Sequence, residues 1–211
     1  RMIFSNKRTG INDENSLVTL SEMVNLDPNK LVTINQIHSP KISIVDSPGF
    51  YDPADGIINK GGNLVCSIKV ADCLPIFFVN DISKTIGLVH AGWRGISLGI
   101  LENFVNSLES CNENVTDFYV LIGPSIQPCC FEIMDDVLEF FNPKFYSRKI
   151  KNKYRVDLQA WVVYQLIEFG FSEQKINNIN KCTFCLEDLY YSYRRDGANS
   201  GRMYALAGWN E

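Results

Sequence analysis

Apolar residues in the first half of the chain fall in short runs of strand length, and in the second half they spread to a helical spacing. Runs at 31–37, 41–46, 63–70, 74–79 and 85–90 read as strands. Asn80-Asp81-Ile82-Ser83 supplies a hairpin turn between the last two. Ahead of them, 16–25 reads as a helix with Leu17, Leu20 and Val24 on one face, closed by Asp27-Pro28. After Gly95 the period changes from about 2 to about 3.6, and Ile96, Ile100, Phe104 and Leu108 mark one helix face. A strand at 117–122 follows, then an apolar helix at 131–141 and a third at 157–169. In that third helix Asp157 is the N-cap, Leu158, Trp161, Val162, Leu166 and Phe169 face inward, and Gly170 ends it. A last strand pair is expected at 190–194 and 202–207. Strand runs and hairpins followed by helices predict an α+β fold: residues 1–211 as a single domain, a mixed β-sheet core flanked by helices.

Composition narrows the function classes. The chain has 211 residues, 45% of them hydrophobic, enough for a substantial core. A net charge of −4 argues against a nucleic-acid footprint, so phosphate recognition would come from a few placed arginines. No uncharged apolar stretch is long enough to span a membrane, and the first residues lack the apolar core of a secretory signal. Seven unevenly spread cysteines read as reduced thiols, and the expected location is cytoplasmic.

The candidate chemistry gathers around two histidines, the only ones present. His38 lies in Gln36-Ile37-His38-Ser39, and His90 opens His90-Ala91-Gly92-Trp93-Arg94-Gly95. Between them, Cys73 heads a strand-like run in Ala71-Asp72-Cys73-Leu74-Pro75. Two imidazoles and a thiolate form the ligand set of a zinc site with one position open. Arg94, near the start of a helix, can add charge for an anion. Asp72 is a candidate proton acceptor or support, with Glu132 a second. Taken singly each has a plainer reading: His90 as a core histidine, Cys73 as a small buried hydrophobe, Arg94 as a surface residue. In Tyr191-Ser192-Tyr193-Arg194-Arg195-Asp196-Gly197, Arg194 and Arg195 are candidate phosphate ligands, of which one should reach a given site; Arg202 is a further donor. Cys182 and Cys185 form a lone CxxC with no partner pair at finger spacing, so they are expected to be packed or lightly reactive thiols. Cys129-Cys130 are expected only to pack.

Together these segments resemble the YfiH-like laccase-domain family, described variously as polyphenol oxidases and purine nucleoside phosphorylases. The matching pieces also include Gly123-Pro124-Ser125-Ile126, Cys129-Cys130-Phe131-Glu132 and Cys182-Thr183-Phe184-Cys185, all in the family's order. The chain departs from the pattern at Thr9-Gly10 and in a shortened polar stretch before the first helix. The resemblance implies catalytic zinc on His38, Cys73 and His90. It also implies phosphorolysis of adenosine, inosine, guanosine or methylthioadenosine, with purine nucleosides and phosphate as partners, and deamination of adenosine. Two imidazoles are too few for the copper centres of a multicopper polyphenol oxidase. A single His₂Cys copper site with one of four methionines on its axis, acting as an electron carrier, stays open. So do a metal-free hydrolase with Cys73 as nucleophile and a nucleotide-binding module without catalysis.

Overall fold

The computed structural model describes residues 1–10, 16–150 and 152–210. Its first half runs through β1 (Met2–Phe4), α1 (Ser16–Met23), β2 (Leu31–Ile34), β3 (Ile42–Val45), β4 (Gly49–Tyr51) and β5 (Gly56–Asn59). Then come β6 (Val65–Val70), β7 (Leu74–Asn80), β8 (Thr85–Ala91), α2 (Trp93–Ser97), α3 (Ile100–Ser110) and β9 (Tyr119–Ile122). The remainder holds β10 (Glu132–Met134), β11 (Tyr146–Ile150), β12 (Lys153–Val156), α4 (Leu158–Glu168), β13 (Ile176–Asn178), α5 (Tyr193–Asp196) and β14 (Met203–Ala207).

Two mixed sheets carry the core: one in the order β13-β9-β7-β8-β5-β3, the other β1-β14-β6-β2-β4. Strand parity explains their stacking. In β7, Leu74, Ile76 and Phe78 pack with Phe104 and Leu108 of α3 and Trp161 and Leu166 of α4. Phe77 between them, with Ile86 and Leu88 of β8, packs instead with Ile68 of β6 and Ala205 of β14. The six-stranded sheet is therefore buried on both faces, which is why β7 and β8 read as unbroken apolar runs. On the outer face of the five-stranded sheet, α1 buries Leu17 and Leu20 against Val65, Tyr204 and Leu206. Phe78 and Phe104 stack with centroids 4.1 Å apart, and a Cβ at Gly87 would run into the Phe104 ring. Truncating such a ring to alanine costs about 3–5 kcal/mol.

Several elements differ from the sequence reading. Residues 131–141 are not an α-helix: β10 pairs with β12, and a 3₁₀ turn covers Asp135–Phe140. Phe131 and Ile133 are buried with Glu132 between them, an alternation too short to tell from a helix face without its partner strand. Residues 190–194 are not a strand either. The Ser192 hydroxyl accepts from the Arg195 N–H and starts the single turn of α5, so capping prevails over the strand preference of the tyrosines. β14 pairs instead with β1 and β6. The helix expected after Gly95 starts earlier, at Trp93, and breaks at Gly99, which is left-handed at φ 83°. The short strands β4, β5, β11, β12 and β13 had no legible period of their own. The polar stretch at 11–15 lies outside the described residues. Among the described residues no helix is long and apolar enough to cross a membrane.

Candidate metal centre and cleft

Antiparallel pairing of β7 with β8 sets Leu74 opposite Ala91 and Pro75 opposite His90, so Cys73 arrives beside the end of β8. The loop from β2 to β3 brings in His38. One donor atom from each of His38, Cys73 and His90 lies within 4.8 Å of the others. The His38 Nε2 to Cys73 Sγ distance is 4.0 Å, and the two imidazoles meet edge to face with centroids 4.8 Å apart. Of the three, His90 is buried, Cys73 half-buried and His38 exposed, so the group opens to solvent on one side.

A residue that sequence reasoning passed over organises this group. Asp55, fully buried, accepts from His90 Nδ1 at 2.8 Å. It also accepts from the backbone N–H groups of His38 at 3.0 Å and Ser39 at 2.6 Å, and from the Ser39 hydroxyl at 2.9 Å. One carboxylate thus holds the His38 loop in its left-handed turn (φ 59° at His38) and leaves His90 Nε2 to face the centre. The signal available was weak: an aspartate in Pro53-Ala54-Asp55-Gly56, 35 positions from His90.

The charges reinforce one another. Burial pushes the Cys73 thiol up, but the His90 imidazolium and a hydrogen bond from His38 outweigh it and hold the thiol at about 6. Burial pushes His90 down, while the Cys73 charge and the Asp55 hydrogen bond hold it at about 9. Burial raises Asp55, yet hydrogen bonds from His90 and Ser39 leave it at about 2. By contrast Cys66, buried without such neighbours, is pushed up to about 12. Cys73 is therefore the thiolate and Cys66 an inert core thiol. Gly92 keeps the centre open: a Cβ there would lie 3.0 Å from Cys73 Sγ and 3.2 Å from His38 Cδ2.

Asp72, at φ 84°, turns away from regular strand geometry. Its carboxylate accepts from Thr183 Oγ1 at 2.6 Å, Ser192 Oγ at 3.0 Å and the Arg194 N–H at 2.7 Å. That carboxylate ties the C-terminal segment to the residue next to Cys73.

Around the three donors lies a cleft of about 540 Å³. Trp93, Phe131 and Tyr193 contribute aromatic surface, and Arg94, Arg194 and Arg202 contribute cations. The Arg94 guanidinium sits 4.4 Å over the Trp93 ring, and Arg194 sits 5.2 Å over Phe131 while donating to the Glu132 carbonyl. Arg195 does not line the cleft. Its guanidinium donates to Asp196 and to the carbonyls of Thr183, Phe184 and Tyr190, which leaves it a structural clamp. The Glu132 carboxylate is also elsewhere, 3.8 Å from Arg155 Nε and 4.0 Å from Lys153 Nζ. Among the described residues no methionine lines the cleft, so none of them provides there the axial ligand of a copper electron carrier. Cys129 and Cys130, expected only to pack, and Cys182 and Cys185, expected to be packed or lightly reactive thiols, converge on one another.

This combination, an α+β domain with a His₂Cys group at the floor of an arginine-rimmed cleft, defines a class. Residues 11–210 match the family model described as multi-copper polyphenol oxidoreductase laccase. The chain belongs to that family, the YfiH-like laccase-domain proteins. It is 34% identical over 166 residues to purine nucleoside phosphorylase YlmD of Geobacillus stearothermophilus, a match covering 74% of this chain and 60% of that protein. With adenosine deaminase RL5 from an unknown prokaryotic organism it shares 27% identity over 204 residues, 89% of this chain and 78% of that one. The crystal structure of YlmD from Geobacillus stearothermophilus superimposes with a TM-score of 0.85 at 29% identity, covering 93% of this chain and 80% of that chain.

Proposed function

We propose that residues 1–211 form one catalytic domain, a zinc-dependent purine nucleoside phosphorylase that also deaminates adenosine. The observation that carries this reading is the convergence of His38, Cys73 and His90 within 4.8 Å at the floor of a cleft lined with aromatic rings and arginines. The donor set fits zinc: two ring nitrogens and a sulfur already favoured as thiolate, with room for a further ligand. When bound, zinc supplies Lewis-acid stabilisation of developing negative charge, which both reactions require.

The chain's own groups do the rest. Trp93 and Phe131 offer flat apolar surface to a purine. Arg94 and Arg194 are placed to orient phosphate; among the described residues Arg94 has no carboxylate partner to compete with it. In phosphorolysis a phosphate oxygen bonds to the anomeric carbon and the glycosidic carbon–nitrogen bond breaks. Its electron pair passes to the purine, which takes up a proton. In deamination water adds to the purine carbon bearing the amine, and ammonia leaves. Asp72 and Glu132 do not present a free acid–base group to these steps: the first is spent on three donors, and the second lies outside the cleft. Asp55 positions His90 and holds its Nδ1 proton.

Product analysis with adenosine, with and without phosphate, tests the reading. Phosphate-dependent release of adenine, abolished by chelator and restored by zinc, is the expected phosphorolysis result; inosine formed without phosphate is the expected deaminase result. Absence of both products from zinc-loaded protein overturns it. Turnover that survives metal removal and stops on thiol alkylation would point to Cys73 as a nucleophile instead.

A further inference from the structure

Two loops beside the cleft each contribute a pair of cysteines to one place. Cys129 and Cys130 lie between β9 and β10, Cys182 and Cys185 between β13 and α5, and the four sulfurs are all within 4.8 Å of one another. Cys129 Sγ is 3.7 Å and Cys130 Sγ 3.3 Å from Cys185 Sγ. These are free thiols, far beyond the ~2.05 Å of a sulfur–sulfur bond. Four thiolates around one zinc ion, each about 2.3 Å from it, stand roughly 3.8 Å apart in a tetrahedron. A cluster of several irons spreads its thiolates wider. We propose that Cys129, Cys130, Cys182 and Cys185 bind a single tetrahedral zinc ion that staples these two loops together.

Local hydrogen bonds already shape both halves of the site. The N–H groups of Cys130 and Phe131 both donate to the Gln127 carbonyl, a turn that brings the adjacent sulfurs to one side. The Leu186 N–H donates to the Cys182 carbonyl, curling Cys182 and Cys185 toward each other. With Cys129 and Cys185 exposed, water can solvate the net negative charge of four thiolates on a divalent ion. All four positions are filled by protein, the closed arrangement of a structural ion.

The first of the two loops forms one wall of the cleft through Ile126 and Phe131, and the second is hydrogen-bonded to it from behind. Ser125 donates to the Lys181 carbonyl and accepts from the Thr183 N–H, so the segments are in register before any ion binds. Phe131 follows Cys130 directly and lines the cleft, while Thr183 follows Cys182 and holds Asp72. The ion would fix that wall without touching substrate. This inference rests on its own residues and is independent of the activity proposed above.

The test uses Cys73→Ala protein, purified under reducing conditions, so that the first centre is disabled. We expect it to retain about one zinc ion per chain by elemental analysis. A mercurial reagent should release that zinc in step with thiol modification. Exchange for cobalt should give the intense charge-transfer absorption of a tetrathiolate, absent from a Cys73→Ala, Cys182→Ser double variant. If the double variant does not fold, zinc release and the cobalt spectrum of the Cys73→Ala protein decide alone. Cys73→Ala protein that holds no zinc after reconstitution overturns the proposal. So does a disulfide between these cysteines in the freshly isolated reduced protein, or bound iron in place of zinc. Loss of one zinc from wild type on mutating Cys73, with the second retained, upholds both centres. Zinc held equally by wild type and Cys73→Ala upholds the staple and removes support for the zinc-dependent activity.

Discussion

The two sulfur-bearing groups of this molecule are built on opposite plans. The one at the ends of β7 and β8 has three donors, one of them sulfur, and a buried carboxylate behind it. The other has four sulfurs on two loops joined by backbone hydrogen bonds such as that from the Thr183 N–H to the Ser125 carbonyl. Three donors leave a coordination position for substrate or water, and four leave none. Their supports differ accordingly. Asp55 can hold both histidines because β5 and β8 are paired strands of a sheet buried on both faces. The loop cysteines have no such frame, and an ion there would itself supply the rigidity. The lesson is that donor number and the stiffness of the supporting backbone together separate a reactive centre from a cohesive one.

Mutations should separate the two most sharply at the sulfurs. Cys73→Ser is expected to reduce kcat/KM for phosphorolysis at least about 10³-fold, equivalent to ~4 kcal/mol of barrier. Its melting temperature should hardly change. Cys185→Ser should do the reverse, lowering the melting temperature, by roughly 2–4 °C for each kcal/mol lost, while turnover falls little. Steady-state kinetics and thermal denaturation of the two variants check the contrast, and equal effects on both quantities would erase it.

Asp55→Asn tests the support instead of the donors. It keeps a hydrogen-bond acceptor but loses the charge that holds His90 protonated at Nδ1. A loss of about 10–100-fold in zinc affinity or activity is expected for such a group; competition with a zinc-binding dye measures the first. Wild-type affinity in this variant would mean that the three donors need no carboxylate behind them.

Gly92→Ala pushes a methyl group toward Cys73 Sγ and His38 together. A displacement of a few tenths of an ångström should cost about tenfold in kcat/KM, less than the ~10²-fold of a full ångström. Normal kinetics would show that the donors can yield without loss.

The smallest expected effect distinguishes the arginines. Arg94→Ala should raise KM for phosphate about tenfold, the scale of one charge-assisted hydrogen bond, with kcat nearly unchanged. Arg195→Ala should leave that KM alone and lower the melting temperature, since its donors serve the protein itself. Phosphate titrations of both variants decide the assignment.

Local pattern carried much of this molecule. The β7–β8 hairpin and α4, with Asp157 at its start and Gly170 beyond its end, could be read directly because their signals are consecutive residues. The family, the α+β class and the three candidate donors were also readable, since a chain with two histidines offers few choices. Residues 131–141 misled because their apolar spacing suits a helix face as well as a strand followed by a turn, and the partner β12 lies about twenty positions away.

What the sequence determined by itself was chemistry and short-range geometry: which groups can ionise or ligate, where the chain turns, and which faces must be buried. The tertiary structure alone decided which distant groups meet. It set Asp55 behind His90 across 35 positions and brought Cys129 to Cys185 across 56. It also chose Arg194 over Arg195 for the cleft by giving Arg195 carbonyls to bind. The reason is physical: hydrophobic periodicity records only whether a side chain is buried. Its partner is fixed by how sheets and loops from remote parts of the chain pack together.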